Sequence, residues 1–194
     1  MSNRKIKSQK VLATTPRLSL MEDEVIMPDG KEKKQYKINT LDGVLVVPIK
    51  VAEDGKVNFV MIEQYRHPIG RRQLEFPGGA VEGGEEVLFC AERELYEETG
   101  YRAATLKSIY MFCPAPSMSS FKTYVYLAVV TGVQDPLFLE DYEIENGFEV
   151  VEKSAEELWK MIRENEITDG KTLAALSVVL LQSPKASEYM ESMI

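Results

Sequence analysis

Three glutamates, Glu94, Glu97 and Glu98, fall within about one helical turn of each other near the end of the segment GAVEGGEEVLFCAERELYEETGY, residues 79–101. Helical spacing puts residues three and four apart on one face, so Glu94 faces both Glu97 and Glu98, and like charges there repel. Gly100 reads as the glycine that ends the helix. The carboxylates therefore crowd the end where the helix dipole disfavours negative charge. A divalent cation reverses the sign of both penalties. Carboxylate oxygens suit Mg²⁺ or Mn²⁺, whereas zinc prefers His and Cys. One histidine, His67, and two cysteines are too few for an ordinary His/Cys cage. Arg93, four before Glu97, is placed to hold that carboxylate. Leu88, Ala91 and Leu95 at i, i+3 and i+7 predict a buried stripe on the opposite face. Glu85 and Glu86 are expected in the first turn, where acids favour the dipole.

Spelled out, the segment is Gly79, five residues, Glu85, seven residues, Arg93-Glu94-Leu95, one residue, Glu97-Glu98, one residue, Gly100-Tyr101. Every fixed position of the Nudix box is present, and the segment resembles that loop–helix motif of hydrolases that cut nucleoside diphosphates linked to another group. The resemblance implies that Glu94, Glu97 and Glu98 bind the catalytic metals. It implies that Arg93 orients a metal-binding glutamate, that Glu85 supports the motif, and that the Gly78 carbonyl reaches a metal. Glu63-Gln64-Tyr65-Arg66-His67-Pro68 and Leu74-Glu75-Phe76-Pro77-Gly78-Gly79 are similar to the ADP-ribose pyrophosphatase branch and its nucleoside-diphosphate-sugar relatives. So are Pro114 and the helix entry Thr168-Asp169-Gly170-Lys171-Thr172.

In that branch a glutamate from a loop beyond the box acts on the attacking water. Glu140, Glu143 and Glu145 are the candidates here, Glu145 first and Glu143 beside it. Arg66, Arg71 and Arg72, clustered before the box, are candidates to cancel phosphate charge, and Arg66 and Arg72 are the expected substrate contacts. Aromatics of the N-terminal unit clamp the base in some members. This unit has no tryptophan and Tyr36 as its one tyrosine, so Tyr36 is the candidate clamp. The implied reaction is Mg²⁺-dependent hydrolysis of ADP-ribose to AMP and ribose 5-phosphate. GDP-mannose or another nucleotide is the alternative substrate, and a non-catalytic metabolite-binding domain is the alternative of another class.

The elements that must position these residues follow from pattern. At 194 residues and 44% hydrophobic, the chain has room for one cored domain and an appendage. Val11–Met21 and Lys33–Ile38 read as strands around the turn Pro28-Asp29-Gly30, making a small N-terminal β unit, residues 1–42. It is too poor in apolar residues for its own core and must pack on its own domain or on a second subunit; the resemblance implies that it packs across a homodimer. Residues 43–194 are the expected Nudix domain. Strands are expected at Gly43–Lys50, Val57–Gln64, Arg72–Phe76, Leu106–Phe112, Phe121–Val130 and Phe148–Val151. Ser154-Ala155-Glu156-Glu157 fits a capping box opening a helix to about Glu164, and Asp169–Leu181 fits the last helix. Strands interleaved with helices predict an α/β fold, in agreement with the Nudix α/β/α sandwich and its mixed sheet.

Net charge −8 and a pI near 4.9 argue against sequence-independent binding to nucleic acid or anionic membranes. No apolar run is long enough to span a bilayer. The basic start MSNRKIKSQK lacks a signal-peptide apolar region and reads as a loose end. Cys90 and Cys113 read as reduced thiols of a cytoplasmic protein. Gly170-Lys171-Thr172 is no P-loop, because Asn165 stands where its first glycine belongs. The acids from Asp141 to Glu152 make no EF-hand, since Gly147 is one place late and no helix precedes. His67 reads as structural or exposed rather than catalytic, and Trp159 as core.

Overall fold

Four consecutive residues of one strand, Val44, Leu45, Val46 and Val47, are all buried. Side chains alternate across a strand. Val44 and Val46 share a cluster with Cys90, Ala91 and Leu95 of a helix, so Leu45 and Val47 face the other side, and both faces of the sheet are covered. Each such side chain contributes roughly 1.5–3 kcal/mol of burial. The computed structural model describes residues 4–51, 55–132, 134–135, 137 and 147–182.

The chain divides into two compact units, Met1–Asp42 with Phe112–Thr123, and Gly43–Met111 with Tyr124–Ile194. The first is a three-stranded antiparallel sheet in the order β1 (Lys5–Thr14), β2 (Leu18–Ile26), β3 (Glu32–Thr40). Segment 112–123 joins it through the Ile38 N–H, which donates to the Met118 carbonyl at 2.8 Å, and the Lys122 N–H, which donates to Asp42 Oδ1 at 2.7 Å. The unit departs from the sequence pattern in two places. The basic start is no loose end, because Lys5–Thr14 pairs along β2. Val11–Met21 is not one strand, because the chain reverses at Thr15-Pro16-Arg17. The Thr15 hydroxyl accepts the N–H groups of Arg17 and Leu18 there, at 3.3 and 3.1 Å, a side-chain turn that alternation does not reveal.

The second unit is the α/β domain. Its sheet runs β6 (Arg71–Glu75), β5 (Val57–Arg66), β4 (Gly43–Val51), β8 (Thr123–Val130), β7 (Ala103–Phe112), with β9 (Glu149–Ser154) also on β5. β5 is the hub. It pairs antiparallel with β4 at its start, β9 along its middle and β6 at its end. Helix α1 (Val87–Thr99) contacts β4 and β5, α2 (Ala155–Arg163) contacts β9 and β5, and α3 (Gly170–Leu181) contacts β4. This is the expected mixed-sheet α/β sandwich. The capping box forms as read: Ser154 Oγ accepts the Glu157 N–H at 3.2 Å and Glu157 Oε2 accepts the Ser154 N–H at 2.8 Å. Trp159 is half-buried on α2 and His67 is exposed in a 3₁₀ turn at 67–69. No helix among the described residues is long and apolar enough to cross a membrane.

Inside α1 the stripe differs from expectation. Leu88 is 47% exposed, while Cys90, Ala91, Leu95 and Thr99 are buried. The packed line runs at four-residue steps through Val87, Ala91, Leu95 and Thr99, and Leu88 lies off it. The buried Cys90 thiol is pushed up to about 12, chiefly by desolvation and then by Glu94 and Glu85, whereas Cys113 is exposed. A maleimide should therefore label Cys113 alone in native protein and both cysteines in denaturant. Native labelling of Cys90, read by peptide mass, would contradict this packing.

Candidate active site

The site is built at the meeting of a glycine loop and the second half of α1. The loop Phe76–Gly79 is laid along β4. The Val46 N–H donates to the Pro77 carbonyl and the Val44 N–H to the Gly79 carbonyl, both at 2.9 Å. Only glycine fits at Gly78, where a Cβ would sit 2.2 Å from the Val44 carbonyl oxygen. A Cβ on Gly79 would lie 2.3 Å from the Glu94 carboxylate, so the bare backbone at Gly79 is the wall against which Glu94 rests. The Gly78 N–H donates to Glu98 Oε2 at 2.7 Å. Gly100, at φ 69°, ends α1 as read, its N–H donating to the Tyr96 carbonyl at 2.8 Å.

Arg93 organises the carboxylates. Its Nε and Nη2 meet the two Glu85 oxygens at 2.9 and 3.1 Å. Its Nη1 meets Glu94 Oε1 at 2.8 Å and Glu97 Oε2 at 2.9 Å. The guanidinium is thereby held more firmly protonated than usual, Glu85 being the main cause. Glu85 is drawn down to about 2, chiefly by Arg93. It precedes the helix rather than standing in its first turn, and the first turn carries no acid. Glu86 is the N-cap but makes no side-chain capping bond. Glu85 instead serves Arg93 and accepts the Glu82 N–H at 3.2 Å.

The three box glutamates differ in setting. Glu94 has only 12% of its side chain exposed, and burial pushes its carboxyl above the usual range. It borders the packed side of α1, four residues after Cys90, rather than pointing away from it. Glu97 is 54% exposed. Among the described residues, no three His, Cys, Asp or Glu groups close up as a finished cage. The donor set still suits a hard cation. Three carboxylates, Glu85, Glu94 and Glu97, surround one arginine, Glu98 stands on the same helix against the Gly78 N–H, and Glu94 is desolvated, so the donors on offer are oxygen. Glu94, Glu97 and Glu98 would hold it, the Gly78 carbonyl beside them.

A cavity of about 380 Å³ opens between β6 and the entry to α3, lined among others by Arg66, Arg71, Gln73, Glu75 and Lys171. Arg66 makes a two-point ion pair with buried Glu75, at 2.8 and 2.6 Å. Arg72 does not line the cavity. It sits on the opposite face of β6, donates to the Gly147 carbonyl at 2.6 Å and pairs with Glu63 and Glu149, each at 3.4 Å. Alternation on β6 turns Arg71 and Gln73 to the cavity instead. Lys171, from the helix entry, joins them; the Gly-Lys-Thr sequence signalled a helix start, and nothing in its spacing pointed to β6. Tyr36 stands on β3 in the other unit, 56% exposed. Glu140, Glu143 and Glu145 lie outside the described residues.

Residues 40–175 match the family model described as the NUDIX domain. The chain is 32% identical over 165 residues to an ADP-ribose pyrophosphatase of Bacillus subtilis (strain 168), covering 85% of this chain and 86% of that one. It is 29% identical over 165 residues to a methanol dehydrogenase activator of Bacillus methanolicus, with the same coverage of each. A solved structure titled as an ADP compounds hydrolase superposes with a TM-score of 0.74 over 98% of this chain and 95% of the other, at 20% identity, a likeness of fold.

The Glu85–Arg93 pair has a definite pH signature. Its folded pKa of about 2 lies below the ordinary value of 4.5. Its contribution to stability is therefore complete above that ordinary value and is lost as pH falls through the folded one. Glu85→Gln should lower Tm at neutral pH, and the gap from wild type should narrow below about pH 4. A gap unchanged across that range, followed by calorimetry, would contradict the pairing.

Proposed function

The chain belongs to the NUDIX domain family, and on that footing we propose that it hydrolyses the pyrophosphate bond of a nucleoside diphosphate sugar, ADP-ribose first, to AMP and ribose 5-phosphate. The observation that carries this reading is the fixing of three neighbouring carboxylates, Glu94 and Glu97 by Arg93 and Glu98 by the Gly78 N–H, with Glu94 against Gly79. The name of the Bacillus subtilis relative, an ADP-ribose pyrophosphatase, favours the substrate. Mg²⁺ is the proposed cation, with Mn²⁺ as a substitute.

Bound at the three glutamates, the cation would offset pyrophosphate charge and lower the pKa of a water. The protein supplies the rest. Arg93 keeps Glu94 and Glu97 in place, and the Gly78 N–H keeps Glu98 in place. Arg66, Arg71 and Lys171 line the cavity that would take the substrate beyond its scissile bond. A loop carboxylate, Glu145 or Glu143, takes the proton of the attacking water. The water oxygen bonds to one phosphorus, the bond from that phosphorus to the bridging oxygen breaks, and the bridging oxygen leaves on the other phosphate. Tyr36 is the base contact in this reading, and the N-terminal unit, residues 1–42, is a dimerisation element of a cytoplasmic homodimer.

A hydrolysis panel of ADP-ribose, GDP-mannose, UDP-glucose, diadenosine polyphosphates and dGTP tests the substrate. AMP release confined to ADP-ribose supports it, and preference for GDP-mannose moves it. Binding without turnover favours a regulatory domain. Glu98→Gln should cut kcat by orders of magnitude with Tm preserved; full activity in that variant would remove Glu98 from the chemistry. Lys171→Ala should raise KM about 5- to 10-fold, as expected for a lost charge-assisted contact, with kcat little changed. An unchanged KM would take the substrate out of the cavity.

A further inference from the structure

The entry to α3, Thr168-Asp169-Gly170-Lys171-Thr172, does more than start a helix. Asp169 is its N-cap, and Asp169 Oδ2 accepts the Thr172 N–H at 2.8 Å. That bond seats Thr172 with no exposed surface. Its hydroxyl oxygen accepts the N–H of Phe76 at 3.2 Å. Phe76 is itself buried, its ring 6.0 Å from that of Phe59. The pairing of β6 with β5 ends one residue earlier, at Glu75 opposite Ile62. The Phe76 N–H is thus a buried donor beyond the strand register, and Thr172 is what satisfies it.

Phe76 opens the loop that carries the site, and each of the next residues is tied in turn. The carbonyls of Pro77 and Gly79 are held by β4, and the Gly78 N–H holds Glu98. Gly78 lies so close to Val44 that the loop has no room to settle further onto the sheet. A change in the height of Phe76 must therefore pass along the loop to the Gly78 N–H and the Glu98 carboxylate.

We propose that Thr172 is a positioning residue for the hydrolytic site. Its hydroxyl sets the Phe76–Gly79 loop, and through the Gly78 N–H it sets the Glu98 carboxylate. The inference rests on the hydrolase reading for its kinetic effect but not for its effect on cation binding. The simpler alternative is a buried hydroxyl that matters to stability alone.

Three variants separate the two. Thr172→Val keeps the shape and removes the acceptor, Thr172→Ser keeps the acceptor, and Leu158→Ala destabilises α2 by opening a cavity away from the loop. Thr172→Val should lower kcat for ADP-ribose about 10-fold or more, as removal of a supporting contact does. It should weaken Mn²⁺ binding, followed by electron paramagnetic resonance without substrate, and leave KM nearly unchanged. Thr172→Ser should restore both, and Leu158→Ala should lose Tm without losing either. If Thr172→Val fails to fold, Asp169→Ala, which frees the Thr172 N–H, should show the same weakening of Mn²⁺ binding. Wild-type kcat and Mn²⁺ affinity in folded Thr172→Val, or in folded Asp169→Ala where it stands in, would overturn the proposal. So would equal losses in Leu158→Ala. Wild-type protein that binds Mn²⁺ but does not hydrolyse ADP-ribose would instead count against the substrate reading, and the Mn²⁺ comparison would still decide the role of Thr172.

Discussion

One guanidinium stands among three carboxylates. Arg93 reaches back to Glu85, sideways to Glu94 and forward one turn to Glu97. Without it the end of α1 would carry neighbouring acids at spacings where each like pair costs a few tenths of a kcal/mol, against an unfavourable dipole. With it the acids are held apart in fixed orientations. The balance remains negative, because Arg93 contributes one positive charge while Glu85, Glu94, Glu97 and Glu98 contribute four negative ones. That surplus, partly desolvated at Glu94, is the physical basis for a divalent cation.

The rest of the domain serves this arrangement. The doubly covered strand β4 fixes α1 on one face through Val44 and Val46, and its backbone fixes the glycine loop. Glu94 can approach that loop only because Gly79 lacks a side chain. Glu98 approaches from the same helix and finds the Gly78 N–H. Packing and site therefore share their parts: the helix that fills the core with Ala91 and Leu95 presents Glu94, Glu97 and Glu98 from the positions around Leu95.

Much of this was legible in the residues. The glutamate spacing, the Arg93–Glu97 step, the glycine end of α1 and the Ser154 capping box all depend on contacts within one helix turn, and each is found. What was not legible depends on distant partners. Leu88 satisfied the spacing of a stripe, but α1 begins at Val87 and packs along Val87, Ala91 and Leu95 instead. Arg72 shared the basic cluster with Arg66, yet strand alternation gives the cavity to Arg71. Glu85 read as a first-turn acid until its ion pair with Arg93 placed it before the helix. The basic N-terminus became a strand because β2 offers it an edge. Lys171 and Thr172 read as a helix entry, and the cavity lined by the one and the Phe76 N–H held by the other follow from where that entry lies in the fold.

On this physical basis, the charge left over around Arg93 should bind the divalent cation that the proposed hydrolysis requires. The most direct measurement is Mn²⁺ titration of the wild-type protein by electron paramagnetic resonance, without nucleotide, alongside Glu94→Gln. Saturable binding in the wild type, weakened strongly in the variant and displaced by Mg²⁺, is the predicted result. Equal Mn²⁺ binding in both proteins, or none in either while ADP-ribose is hydrolysed in the presence of a chelator, would contradict it.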